Sequence, residues 1–111
     1  MELTWQDFEK VELRIGTILD VNDFPKAEKP AYLLTIDFGV QMGIKKSSAQ
    51  ITNRYSRESL IGKQIVAVVN FPKKQIGKFM SECLVLGSVG NENDIVLLTS
   101  DLKVENGLRI G

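Results

Sequence analysis

Leu13-Arg14-Ile15-Gly16-Thr17-Ile18-Leu19-Asp20-Val21 is the stretch that sets the fold class. Leu13, Ile15, Thr17, Leu19 and Val21 alternate with Arg14, Gly16, Ile18 and Asp20. A period of two predicts a β-strand whose first set faces a core. Gly16 within it predicts a bend or bulge, as a closed sheet requires. Downstream, residues 22–30 are polar and hold Pro25 and Pro30, so they form a loop. Tyr32, Leu34, Ile36 and Phe38 alternate again and predict a second strand, with Gly39 ending it or opening a turn. Residues 42–47 read as a third strand paired with the second, and residues 49–60 hold a short helix. Residues 65–69 form a continuous β-branched run, the signature of a strand buried on both faces. Leu84-Val85-Leu86 and Ile95-Val96-Leu97-Leu98 are two further strands, separated by a loop at 90–94.

The N-terminus alone reads as clearly helical. Thr4 and Asp7 form a capping box with the shorter acid, and Trp5 and Phe8 share one face of a segment reaching about Lys10. Two turns are not stable alone in water, so this piece must dock on its own barrel or on a second subunit. Five or more short strands and one short helix within 111 residues predict a single small all-β domain, 1–111. A five-stranded Greek-key barrel with a helix after its third strand fits, and such barrels bind oligonucleotides. The alternation by itself also fits a sandwich.

Composition narrows the function. A 12.4 kDa chain should expose roughly 6,100 Å² when folded as one globule. No apolar run approaches the ~20 residues of a membrane helix, and residues 1–4 lack the pattern of a signal peptide. The lone Cys83 excludes an internal disulfide and suits a reducing compartment, the cytoplasm. The chain has no histidine, which removes the commonest general base and metal ligand. A zinc site and a Ser-His-Asp hydrolase are excluded within it. The acidic pairs Glu9/Glu12 and Asp20/Asp23 lack apolar surroundings and read as surface charge. No phosphate-binding glycine motif occurs. No cofactor is expected, and an enzyme is the weakest reading.

Charge points to a partner instead. Fourteen basic and fourteen acidic residues cancel overall. Yet residues 45–78 carry Lys45, Lys46, Arg54, Arg57, Lys63, Lys73, Lys74 and Lys78 against Glu58 alone, eight against one. That window is therefore +7 and the remainder −7. Basic clustering is the footprint of a polyanion. Within it, Asn70-Phe71-Pro72-Lys73-Lys74-Gln75-Ile76-Gly77-Lys78-Phe79-Met80-Ser81-Glu82 interleaves lysines with Phe71, Ile76 and Phe79. Lysines attract phosphate, aromatic faces stack unpaired bases, and Asn70, Ser81 and Glu82 can read base edges. The bland alternative places Phe71 and Phe79 in the core, with solvated lysines. Lys45, Lys46 and Ser48 form a second basic candidate, although Ser48 could simply cap the following helical turn. Phe71, Ile76, Phe79 and Met80 would equally suit an unfolded polypeptide.

These residues also carry a family resemblance that spans nearly the whole chain. It runs through Asp7-Phe8-Glu9-Lys10, Leu13-Arg14-Ile15-Gly16-Thr17-Ile18, Phe24-Pro25-Lys26-Ala27 and Ile36-Asp37-Phe38-Gly39. It continues through Gly43-Ile44-Lys45-Lys46-Ser47-Ser48-Ala49-Gln50-Ile51-Thr52, Val68-Val69-Asn70-Phe71-Pro72, Ser81-Glu82, Leu84-Val85-Leu86-Gly87 and Asn106-Gly107. In order and spacing the chain resembles the tRNA-binding domain family, found at the ends of some aminoacyl-tRNA synthetases and as stand-alone proteins. Within that family it more closely resembles a stand-alone bacterial type described as a secretion-related chaperone. The resemblance implies an OB-fold barrel with C-terminal strand extensions. It also implies a homodimer built partly from the N-terminal helix with Trp5 and Phe8, and RNA contacts at Asn70, Lys73, Lys74 and Ser81. The implied partners are tRNA or other structured RNA, and unfolded or exported precursor proteins. Members that bind tRNA usually carry Met three places after that serine; here the residue is Leu84.

Overall fold

The structure is a computed structural model that describes residues 1–25 and 28–111. Lys26 and Ala27, within the loop predicted at 22–30, lie outside the described residues. The main sheet comprises β1 (Leu13–Asp23), β2 (Tyr32–Asp37), β3 (Ile44–Ala49), β4 (Gln64–Val68) and β7 (Leu84–Val85). Its antiparallel order is β3-β2-β1-β4-β7, a nearly closed five-stranded barrel of OB type. Around it stand α1 (Trp5–Glu9), α2 (Gly39–Met42) and α3 (Arg57–Leu60). Two small hairpins complete the chain, β5 (Lys74–Ile76) with β6 (Phe79–Ser81), and β8 (Gly87–Val89) with β9 (Ile95–Leu97).

The long strand β1 does not keep one alternation. Ile18 pairs with Ile36 but Asp20 pairs with Thr35, which leaves Leu19 as an extra residue. At this bulge Leu19 points outward, 44% exposed, while Ile18 before it and Val21 after it are both buried. The expectation that Leu19 faces the core therefore fails, because the inserted residue breaks the two-residue alternation locally, while Val21 faces the core as its parity predicts. Gly16 does not make that bulge. A Cβ there would lie 2.6 Å from Ile36 Cγ2 and 2.8 Å from the Phe38 ring, so the glycine permits close packing across the barrel.

Strand β4 is buried along Ile65, Val66, Ala67 and Val68, as its unbroken apolar run predicts. The third strand starts later than expected. Met42 belongs to α2, and Gly43 with φ +73 turns the chain into β3. Ser48 pairs with Leu33 within β3 and caps nothing; Ser56 caps α3, accepting the Ser59 N–H at 3.1 Å. The C-terminal segment lies along the free side of β1. Ile15 donates to Leu108 O at 3.0 Å, and Gly107 donates to Ile15 O at 2.7 Å. Gln64 holds the approach to that segment, bonding Val104 at both its amide nitrogen and its oxygen. Gly107, at φ +91, lets the turn press on Phe38, where a Cβ would meet the carbonyl at 2.5 Å.

Helix α1 buries none of its residues. Thr4 Oγ1 accepts the Asp7 N–H at 3.1 Å, while the Asp7 carboxylate faces Lys10 Nζ at 3.3 Å. The helix is tied down only at its C-terminal end, by Asn70 Nδ2 to Lys10 O (2.6 Å) and Arg109 Nη2 to Glu9 O (2.9 Å). Trp5 remains 84% exposed.

Replacing Gly16 by valine should destabilise the fold by about 1–3 kcal/mol through overpacking. Urea denaturation would measure this as a lower midpoint with an unchanged slope.

Candidate nucleic-acid interface

The barrel is closed by polar contacts rather than by a full ladder. Strand β3 is the sheet edge, and residues 81–83 run beside it. Glu82 N–H donates to Lys46 O at 2.7 Å, and Lys46 N–H donates to Glu82 Oε1 at 3.0 Å. The Ser48 N–H reaches Ser81 Oγ at 3.4 Å. The buried Ser47 hydroxyl donates to Cys83 O at 2.9 Å. Ser47 lies on the inward face of β3, and its hydroxyl takes a role no sequence motif announces.

From this seam β5 and β6 rise as a hairpin, where the sequence predicts only a basic loop. Gly77 and Lys78 form a two-residue turn between paired Ile76 and Phe79. Gly77 has φ +61, the left-handed first position of a type II′ turn. A Gly-Lys pair between β-formers is a legible hairpin signal, but the lysine density conceals it.

Two grooves adjoin the hairpin, one at its base and one at its tip. The first, of about 580 Å³, is lined by Phe71, Pro72, Lys73, Lys74, Gln75, Ser81, Cys83 and Leu84. Phe71 is 56% exposed, which removes the core alternative for that ring. The charge of Lys45 favours the Cys83 thiolate, though burial outweighs it, and Lys45 itself does not line the groove. Lys73 Nζ sits 3.5 Å from Glu82 Oε2. That pair is largely solvent-exposed on the lysine side and holds Lys73 only weakly. The second groove, of about 370 Å³, is lined by Phe24, Pro25, Leu33, Ile76, Gly77, Lys78 and Phe79. Phe79 and Ile76 are half-buried there rather than interior. Phe24, Pro25 and Leu33 were not among the site residues expected from sequence.

Other basic residues stand apart. Arg54 forks onto Asp94, with Nη2 at 2.9 Å from Oδ2, and Arg57 faces Asp23 at 4.0 Å. The Arg54 hydrogen bonds hold the Asp94 carboxyl below its ordinary range. Lys63 precedes β4 and Asn70 follows it, so the strand separates them by roughly 20 Å. Of the basic window, Lys73 and Lys74 line the first groove and Lys78 the second, while Lys45 and Lys46 stand on β3 and line neither, so the lysines do not share one trough. Asn70 is already engaged as a brace: Oδ1 accepts the Glu12 N–H at 3.0 Å, besides the bond from Nδ2 to Lys10. Glu82 is likewise occupied at the seam. Met80 is paired with Gln75, 40% exposed, on the opposite hairpin face from Phe79. Neither expected acidic pair forms a dyad, since Glu12 binds Arg14 at 2.7 Å and Asp20 accepts from Asn22 at 3.2 Å. Among the described residues no group of three metal-ligating side chains occurs, and no helix is long and apolar enough to cross a membrane.

Residues 13–109 match the family model described as "Putative tRNA binding domain". The chain belongs to this tRNA-binding domain family. Among solved structures it is similar to the chaperone CsaA from Bacillus anthracis, at 50% identity and a TM-score of 0.95, with 100% of each chain covered. The CsaA chaperone protein from Picrophilus torridus is 51% identical with a TM-score of 0.92, covering 99% of this chain and 100% of that one. Among curated proteins it is 32% identical over 106 residues to the methionine–tRNA ligase of Thermococcus onnurineus. That match takes in 96% of this chain but 14% of the ligase. The family assignment agrees with the resemblance read from the sequence, and the CsaA structures with its stand-alone type.

Burial pushes the Cys83 thiol up to about 11. At pH 8 its thiolate fraction should be on the order of a hundredfold below that of an ordinary cysteine. Iodoacetamide labelling of the folded protein should therefore be slow, and unfolding in guanidinium should restore the normal rate.

Proposed function

We propose that this chain is a non-catalytic binding protein that holds RNA, with tRNA the foremost ligand, on the basic surface around the β5–β6 hairpin. The observation that carries this reading is the first groove. It combines Lys73 and Lys74 with the exposed Phe71 ring and the Ser81 hydroxyl. Ammonium groups take phosphates, and the ring offers a stacking face. Glu82 tempers Lys73 in the free protein, and an incoming phosphate replaces that carboxylate as its partner. The expected site residues then divide by role. Lys45, Lys46, Lys73, Lys74 and Lys78 attract; Phe71, Ile76 and Phe79 pack; Ser48 and Ser81 offer hydrogen bonds at the seam. Asn70 and Glu82 shape the site from beneath.

A second reading, a chaperone for unfolded or exported precursor polypeptides, draws on the same apolar groups. Phe71, Pro72 and Leu84 line the first groove, and the two similar CsaA structures are named as chaperones. Met80 adds a flexible apolar side chain nearby.

The working form in this proposal is a cytoplasmic homodimer. The single chain exposes 7721 Å², well above the roughly 6,100 Å² expected for its mass. Trp5 at 84% exposure and Leu3 at 71% contribute to that excess, and α1 has no core of its own. A second copy would cover Trp5 and Phe8 and give one RNA two grooves.

Two measurements test these points. With labelled tRNA, five lysine contacts predict a slope of log K against log salt near about −3.5, and the Lys73→Ala/Lys74→Ala double variant should flatten it by about 1.4. A flat wild-type response would remove the electrostatic basis of the proposal, and an unfolded polypeptide displacing tRNA would place both ligands on one surface. Trp5→Ala should convert a dimer to a monomer in light scattering while leaving the barrel folded by circular dichroism.

A further inference from the structure

The second groove carries an inference that rests on the RNA reading and narrows it. We propose that it receives one unstacked nucleobase, so that the ligand presents an unpaired RNA segment rather than a duplex. The groove lies between the hairpin tip and the start of the β1–β2 loop. Its walls are Phe24, Pro25, Leu33, Ile76 and Phe79. The two phenyl rings stand 5.7 Å apart, tilted by 54°. Both are half-buried, so each keeps part of its surface open to the groove. A volume of about 370 Å³ accommodates a flat heterocycle with room for its sugar.

Charge selects a nucleotide over a plain apolar side chain. Lys78, in the hairpin turn, is the only charged residue among the described residues lining the groove. Lys46 lies on the same outer sheet face: Ser48 pairs with Leu33, and Lys46 pairs with Thr35. Lys46 is thus the diagonal neighbour of Leu33, roughly 7–8 Å away. A nucleotide brings one phosphate with each base, which these ammonium groups can meet. An apolar peptide side chain would fill the walls and leave both cations unmatched. A duplex cannot enter, because its bases are stacked and paired. The first groove then follows the backbone at the base of the hairpin, while the second holds a base at its tip.

The test compares a fluorescein-labelled octauridine with a fully paired RNA duplex, using anisotropy on the full chain. Phe79→Leu and Phe24→Leu keep an apolar filler but remove the aromatic face, and equal melting temperatures would show that the fold is intact. The proposal expects each variant to lose roughly fivefold or more in affinity for octauridine. It expects little change for the duplex, and no further loss when the oligonucleotide is made abasic. If octauridine binds but the variants do not weaken it, or abasic RNA suffers equally, the base pocket is wrong while RNA binding stands. If wild-type protein binds neither RNA, the RNA reading falls and the pocket with it. If the variants instead weaken only an unfolded polypeptide, the occupant is a protein side chain and the proposal is overturned.

Discussion

The seam between β3 and residues 81–83 is the constraint on which the hairpin and its grooves depend. A regular ladder would need an uninterrupted strand there. The chain instead uses two serines and one glutamate. The Glu82 carboxylate takes the Lys46 N–H, the Ser47 hydroxyl takes up the Cys83 carbonyl, and Ser81 Oγ lies beside the Ser48 N–H. These bonds satisfy edge groups that would otherwise be left unpaired. They also release the chain before residue 81 to leave the barrel wall as a free hairpin. Without that departure there would be no pair of grooves at the base and tip of the hairpin.

The same economy gives several candidate residues a structural part. Asn70 ends β4, braces the entry to β1 and ties down α1 through Lys10. Glu82 closes the seam and faces Lys73. An acidic group at the base of a cationic surface limits self-repulsion among the lysines in the free protein. Cys83 lies beneath the first groove with a thiol that burial keeps protonated, so the floor is neutral.

Much of the barrel was legible because its strands are plain in pattern. β2 alternates cleanly, and β4 is an apolar run with no competing period. Failures occurred where one residue changes the register or where charge hides a turn. Leu19 reads as inward by parity, and only the pairing of Asp20 with Thr35 reveals the bulge. The hairpin reads as a loop because its lysines mask the Ile76–Phe79 pair around Gly77. At the site, sequence brings together neighbours such as Lys73 and Lys74 with confidence, yet cannot sort distant cations. Arg54 and Arg57 belong to the basic window by position but meet Asp94 and Asp23 elsewhere. Phe24 and Leu33 were missed for the converse reason. They read as ordinary strand and loop residues until folding sets them against Phe79.

If the hairpin and its seam are the surface that meets RNA, as proposed, amide chemical shifts report that contact residue by residue. In an NMR titration of the isotopically labelled protein with tRNA, shifts should concentrate in residues 45–48 and 70–84, with smaller changes around Phe24 and Leu33. Residues 54–60 and 87–98 should stay still apart from general broadening. Shifts centred on that second set, with the hairpin unmoved, would contradict the account.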